Sequence, residues 1–425
     1  ASEEDAVAMA TSPMAALSVE DEGYDDSFES DVEYEVEMKN GYTALCDGEG
    51  GKRSGKSKKS KFKSKLLKKF KKTSRDSFVK DGKDSFEERE KGTEEDRDMR
   101  FAEIWFNDIL PCWEKKKSSS KVRSLCFKGV PPNVRGKVWL AALGNEMKIT
   151  EDLYNVLSEQ AEMSRTLYYH EKEQLENADG DLGGVGGRAE ELMMGEISAH
   201  KMIQLDLPRT YPELELFKNE NSPYRQNLLE LLEAFVCFRP EIGYSQGMSF
   251  VAAHLLLYLE PTESFICFVN MLSCSCCLDF YKMQMPEVKI YMMVHQKLFK
   301  EELPTLYSHF RKLEIEPEMY MVKWIMCLFC QSLPLEATSR VWDIYFLDGD
   351  AAIFRAAIGV LKFLSPSLMK MSFEEVAYAL SHVSDSINED DLMKCIRSVQ
   401  NVTPKRLRDL IKDCKEKYRQ QQNAS

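Results

Sequence analysis

Two short strings hold the residue types best suited to chemistry: Ile203-Gln-Leu-Asp-Leu-Pro-Arg209 and Tyr244-Ser-Gln-Gly247. Arg209 carries a fixed cation with a planar fork of donors, suited to a phosphoryl group gaining charge on its equatorial oxygens. Gln246 carries a neutral amide, whose acceptor oxygen and two donors suit orienting a water molecule without taking its proton. Hydrolysis of a nucleoside triphosphate needs those two parts besides a phosphate cradle and magnesium. The chain shows no credible cradle, so the pair reads as groups lent to a nucleotide held by another protein.

One string imitates the cradle. Gly50-Gly-Lys-Arg-Ser-Gly55-Lys56-Ser57 satisfies Gly-x4-Gly-Lys-Ser letter for letter. The mechanism needs a buried strand entering the loop and a helix whose N-terminus faces the phosphates. Here an acidic tail precedes it and a dense lysine run follows, so the match is read as accidental. A second glycine-rich string, Asn177 to Arg188, resembles a calcium loop only faintly. Read from Asn177, Leu182 falls where glycine is required and Arg188 where the bidentate Glu belongs; read from Asp179, Gly183 replaces a ligand. It is expected to be a mobile surface insertion.

Metal and nucleophile chemistry have weaker support. Cys274-x-Cys276-Cys277 and Cys327-x-x-Cys330 lie in apolar surroundings with no paired histidine at zinc spacing, so they read as buried small hydrophobes and no metal site is expected. His254, among Ala252, Ala253, Leu255 and Leu256, reads as a satisfied core residue. No Ser/His/Asp or Cys/His pairing stands out, which argues against a hydrolase with its own nucleophile.

The elements that must position Arg209 and Gln246 follow from composition and period. The chain has 425 residues, 43% of them apolar, and a net charge of −13. Residues 1–50 hold fifteen Asp/Glu against one Lys, so this acidic, aliphatic-poor head supplies the whole excess and reads as disordered. Residues 51–96 form a polybasic segment and linker; within them, residues 52–72 carry twelve Lys/Arg and no acid. A helical domain is expected over residues 97–420. Leu228, Leu229, Leu231, Leu232, Phe235 and Val236 make one helical face, and Ile353, Phe354, Ala357, Ile358 and Leu361 another. Thr403-Pro404 and Ser372 three residues before Glu375 are helix-start signals. Prolines 208, 223, 261, 286, 304 and 334 are expected to separate helices. Long alternating strand patterns are absent, and the expected fold class is all-α.

Twelve cysteines without framework spacing, and no opening hydrophobic signal, fit reduced thiols in the cytosol. The longest largely apolar run, Met248 to Leu259, is too short to span a bilayer, so the protein reads as soluble. The lysine run leaves three readings open. Phe62, Leu66, Leu67 and Phe70 recur at helical spacing among lysines, so an induced helix would suit an anionic membrane surface. The lipid-facing set would be Lys58, Lys59, Lys61, Phe62, Lys63, Lys65, Leu66, Lys68, Lys69 and Phe70. The other readings are a solvated tail contacting acidic residues 20–37, and a nuclear-import or nucleic-acid patch. With no DNA-reading motif elsewhere, no nucleic-acid partner is expected. Ala1 in place of an initiator methionine fits either methionine removal or a truncated form.

The order Arg135-Gly136-Lys-Val-Trp139, Ile203-x-x-Asp206-x-x-Arg209, Tyr244-x-Gln246-Gly247 resembles the TBC domain of Rab GTPase-activating proteins. Lys128-Gly-Val-Pro131, Arg209-Thr-Tyr-Pro212 and Arg340-Val-Trp342-Asp343 extend the likeness from about Leu125 to Leu380. The resemblance implies a wholly helical domain that binds a Rab small GTPase in its GTP state and inserts two fingers, Arg209 and Gln246. GTP and magnesium would belong to the Rab, leaving this chain with no cofactor and no nucleotide reaction of its own. Asp206 and Arg135 match positions that orient the site. Tyr244 and Gly247 would shape the turn presenting Gln246, while Trp139 and Trp342 read as packing residues. The family further implies work in vesicle traffic, peripherally at endosomal, Golgi or autophagosomal membranes. The rival expectation is a non-catalytic scaffold that binds a GTP-loaded small GTPase or a tethering complex.

Overall fold

The computed structural model describes residues 94–177, 198–273, 276–383 and 387–423. The acidic head, Gly50–Ser57, the lipid-facing set at 58–70 and the glycine-rich residues 178–188 lie outside them.

Among the described residues every regular element is helical. In chain order the α-helices are α1 (Glu94–Glu103), α2 (Trp113–Lys116), α3 (Ser120–Lys128), α4 (Pro132–Leu143), α5 (Glu151–Asn177) and α6 (residues 198–206). A 3-10 turn, Leu207–Arg209, continues α6; then come α7 (Pro223–Phe238), α8 (Met248–Leu256), α9 (Pro261–Ser273) and α10 (Cys277–Tyr281). The rest are α11 (Met285–Glu302), α12 (Pro304–Lys312), α13 (Glu318–Met326), α14 (Leu335–Asp348), α15 (Asp350–Leu368), α16 (Phe373–Ser381), α17 (Glu389–Ser398) and α18 (Pro404–Gln422).

The chain's own signals set these boundaries. Pro223, Pro261 and Pro304 open their helices, where the missing N–H costs no intrahelical bond. The Thr403 hydroxyl accepts from Arg406 N, and Ser372 with Glu375 closes a reciprocal capping box, as expected. α7 buries the predicted leucine face against α5, α8 and α9, and also packs on the Leu207–Arg209 turn. Each leucine taken from water contributes about 2 kcal/mol, so this face is the firm bed beneath that turn.

α15 departs from the one-sided stripe expected of it. From Ala351 to Leu361 every residue is buried, because α11, α13, α14 and α17 surround it. It is also longer than the Met248–Leu259 run and apolar enough for a membrane span by length and composition, yet 67% of its most apolar window is buried. Arg355 within it pairs with Asp348 at 2.6 Å. It is the core helix of the fold.

Candidate functional site

Arg209 closes the short turn that follows α6, and its side chain is 48% exposed. The guanidinium reaches back to its own turn: Nε donates to the Leu205 carbonyl at 3.1 Å, and a terminal nitrogen lies 3.3 Å from Asp206 Oδ1. Leu205 is itself exposed on the outer face of α6, one turn before the arginine.

Asp206 is buried, and its other oxygen accepts a 2.7 Å hydrogen bond from Tyr244. Burial pushes the Asp206 carboxyl up; the Tyr244 hydrogen bond and the Arg209 charge oppose that rise. Burial, with the neighbouring Asp206, raises the Tyr244 phenol well above its ordinary value, so it keeps the proton it donates.

Tyr244 begins the turn that carries Gln246. The Gln246 side chain is half-buried and makes no hydrogen bond among the described residues, so its amide is available to an incoming group. Gly247 follows at φ 101° and ψ −22°, in the left-handed region, at the N-cap of α8. Conformation therefore explains this glycine: a side chain there would be strained. A second link joins the two turns, since the Thr210 hydroxyl donates to Asp206 O at 2.8 Å and lies 2.9 Å from the Ser249 hydroxyl on α8. The arginine turn and the glutamine turn are thus fastened twice, and both links are buried.

Arg135 occupies a different place from the fingers. It is fully buried on α4, where Nε donates to Asp343 Oδ1 at 3.1 Å and a terminal nitrogen to Glu336 Oε1 at 2.9 Å. Burial works against its charge, and these carboxylates outweigh burial. Asp343 also accepts from Val130 N at 2.7 Å and Trp139 Nε1 at 2.9 Å; burial lifts its carboxyl to about 6, against the pull of Arg135 and the other donors. The Arg135-Gly-Lys-Val-Trp139 and Arg340-Val-Trp342-Asp343 strings therefore pack on each other, with Trp139 and Trp342 ring centroids 5.4 Å apart. Both tryptophans are buried, in keeping with packing roles.

A hydrogen-bond relay connects this hub to the arginine turn. Arg135 donates to Tyr258 OH at 3.2 Å, Tyr258 lies 2.8 Å from Ser339, and Ser339 3.1 Å from His254 Nε2. His254 Nδ1 lies 2.9 Å from Tyr211 OH, two residues beyond Arg209. Burial first, and the Arg135 charge second, hold His254 well below its ordinary pKa, so the ring is neutral. The expected core histidine is present, with both ring nitrogens occupied. At the other end of α6, His200 bonds to Glu233 on α7 and lies 3.0 Å from Tyr169 OH on α5, while Arg165 pairs with Glu233.

Sequence reasoning missed Leu205, Thr210, Tyr211 and the relay through Tyr258 and Ser339. Thr210 and Tyr211 did fall within the string Arg209-Thr-Tyr-Pro212; only tertiary pairing reveals their contacts. Among the described residues no group of His, Cys, Asp and Glu is arranged to hold a metal ion, and Cys276, Cys277, Cys327 and Cys330 are buried and in no disulfide.

The profile of the Rab-GTPase-TBC domain matches residues 132–369. TBC1 domain family member 12 of Rattus norvegicus is 37% identical over 297 residues, 70% of this chain and 41% of that protein. TBC1 domain family member 14 of Homo sapiens is 37% identical over the same length and shares. The chain therefore spans about two fifths of the length of these curated relatives. The crystal structure of the Chlamydomonas flagellar RabGAP TBC domain matches 71% of this chain and 95% of that one, with TM-score 0.52 and 21% identity, a likeness of fold.

Proposed function

The chain belongs to the Rab-GTPase-TBC domain family, and on that premise we propose that it accelerates GTP hydrolysis by a Rab small GTPase in trans. The observation that carries this reading is the double fastening of the Arg209 and Gln246 turns through Tyr244–Asp206 and Thr210–Ser249. It presents a half-exposed cation and an unbonded amide on two turns locked to each other.

The division of labour follows from side-chain chemistry. GTP and magnesium come with the Rab in its GTP state. Arg209 supplies donors to the transferring phosphoryl group as charge builds on its oxygens; an arginine given in trans is worth about 10³ to 10⁵ in rate, or roughly 4–7 kcal/mol. The Gln246 amide oxygen accepts from the attacking water and fixes its line of approach. Asp206 and Tyr244 keep the guanidinium and the glutamine turn in register, and Gly247 allows the turn to close. Arg135 acts at a distance, by holding α4 on α14 and anchoring the relay that ends at Tyr211. The protein would do this in the cytosol and peripherally at endosomal, Golgi or autophagosomal membranes, with residues 58–70 contributing a lipid contact.

The test is single-turnover GTP hydrolysis by a panel of Rabs, with catalytic amounts of this protein. At least one Rab is expected to be accelerated about 10³-fold or more, and Arg209→Ala to abolish the effect. No acceleration across the panel, with GTP-loaded Rab still bound, would establish the scaffold instead.

A further inference from the structure

We propose that the outward face of α18 is a binding surface for the anionic headgroups of a lipid bilayer, separate from residues 58–70. Lys405, Arg408, Lys412, Lys415 and Arg419 recur at spacings of three, four, three and four, which places them on one helical face. The span of fourteen steps makes a line roughly 21 Å long at 1.5 Å per residue. Leu407, Leu410 and Cys414 are the buried residues of the same helix, and they face α11 from the opposite side. Lys405, Arg408, Lys412 and Arg419 are exposed and Lys415 is half-buried, so the row lies on the side of the helix turned from the core.

Pairing separates these cations from their neighbours. Off the stripe, Arg406 pairs with Glu301, and Asp413 lies 3.7 Å from Lys297. The five stripe cations make no ion pair among the described residues. The surrounding charge makes the concentration unusual. Residues 94–425 hold 39 Lys/Arg against 49 Asp/Glu, whereas α18 holds seven against three. A general excess of lysine therefore does not account for it.

The surface is also shaped. An open groove of about 370 Å³ is lined by Arg408, Ile411, Lys412, Lys415, Glu416 and Arg419. Ile411 and Tyr418 are half-buried along one edge of the stripe. A straight row of long-stemmed cations bordered by an aliphatic and a phenol fits a plane with negative charge above hydrocarbon. A purely acidic peptide or a phosphodiester backbone offers the charge without the apolar layer.

The 425-residue chain is mixed with phosphatidylcholine vesicles with or without phosphatidylserine, and binding is read by co-sedimentation. The twelve Lys and Arg of residues 52–72 are replaced by Gln in every sample, so that segment does not mask the helix. Binding to the anionic vesicles alone is expected, weakening as salt rises. Since each basic residue at an anionic surface is worth about fivefold, Arg408→Gln, Lys412→Gln, Lys415→Gln and Arg419→Gln together should weaken it at least tenfold. Glu416→Gln, which removes the carboxylate from the groove, should tighten it about fivefold. That second variant keeps the test decisive if the fourfold one fails to fold. Equal binding to neutral vesicles, or indifference to both variants, would overturn the proposal. Loss of poly-glutamate binding by the fourfold variant, with vesicle binding unchanged, would overturn it in favour of an acidic protein partner.

Discussion

Asp206 joins the turns of the two candidate fingers: one oxygen faces Arg209 and the other accepts the Tyr244 hydrogen bond. Tyr244→Phe removes a 2.7 Å bond to a buried carboxylate, which costs about 1.5–3 kcal/mol. Its thermal midpoint should fall, and stimulated hydrolysis should fall with it. Gln246→Ala should separate the two effects. With no hydrogen bond to lose, its stability should stay within about 0.5 kcal/mol of wild type. Its rate should nevertheless drop about 10²-fold, the usual cost of losing one positioned polar group. Gly247→Ala is expected to resemble Tyr244→Phe, because φ 101° is strained for any side chain by about 1–2 kcal/mol. Unchanged thermal melting of that variant would contradict the turn geometry.

At the scale of elements, two junctions hold the frame around the site. α4 meets the backbone after α8 at Gly136, where a Cβ would run into the Tyr258 carbonyl and lie 2.7 Å from Leu259 Cδ2. Gly136→Ala should therefore destabilise by about 1–3 kcal/mol in chemical denaturation and disturb the Arg135–Tyr258 contact beside it. The second junction gathers α3, α14 and α15 at Asp348, which pairs with Arg123 at 2.7 Å and Arg355 at 2.6 Å. Burial pushes the Asp348 carboxyl up, but the hydrogen bonds and charges of the two arginines outweigh burial and hold it below 3.8. A depressed carboxylate contributes stability above its unfolded pKa, and that contribution is lost as pH falls through the folded value. Unfolding free energy measured from pH 5 downward should thus drop below about pH 4, and Asp348→Asn should flatten that part of the curve. An equally steep acid limb in the variant would remove Asp348 from this role.

Across the whole molecule, what the sequence disclosed divides by physical range. Helices were legible because their signals are local: the α7 face, the Thr403 and Ser372 caps and the prolines all lie within a few residues of what they control. Arg209 and Gln246 were legible because a long polar side chain in packing surroundings is out of place. The bonds that fasten them were not, since Asp206–Tyr244 spans 38 positions and Ser339–His254 spans 85. A hydrogen bond between distant segments leaves no periodicity in either. The α15 stripe misled for a related reason, because its polar-side neighbours are buried by helices that only the tertiary structure brings in. The basic row on α18 has a local period too, though it is less dense in charge than the run at residues 52–72.

Two side chains on two interlocked turns would complete another protein's active site. The most direct measurement is single-turnover GTP hydrolysis with the most responsive Rab, comparing wild type, Arg209→Ala, Gln246→Ala and the double variant, alongside their binding to the GTP-loaded Rab. Each single variant should lose at least about 10²-fold in stimulated rate while still binding, and the double variant should return hydrolysis to the unstimulated rate. Full stimulation by the double variant would contradict these roles.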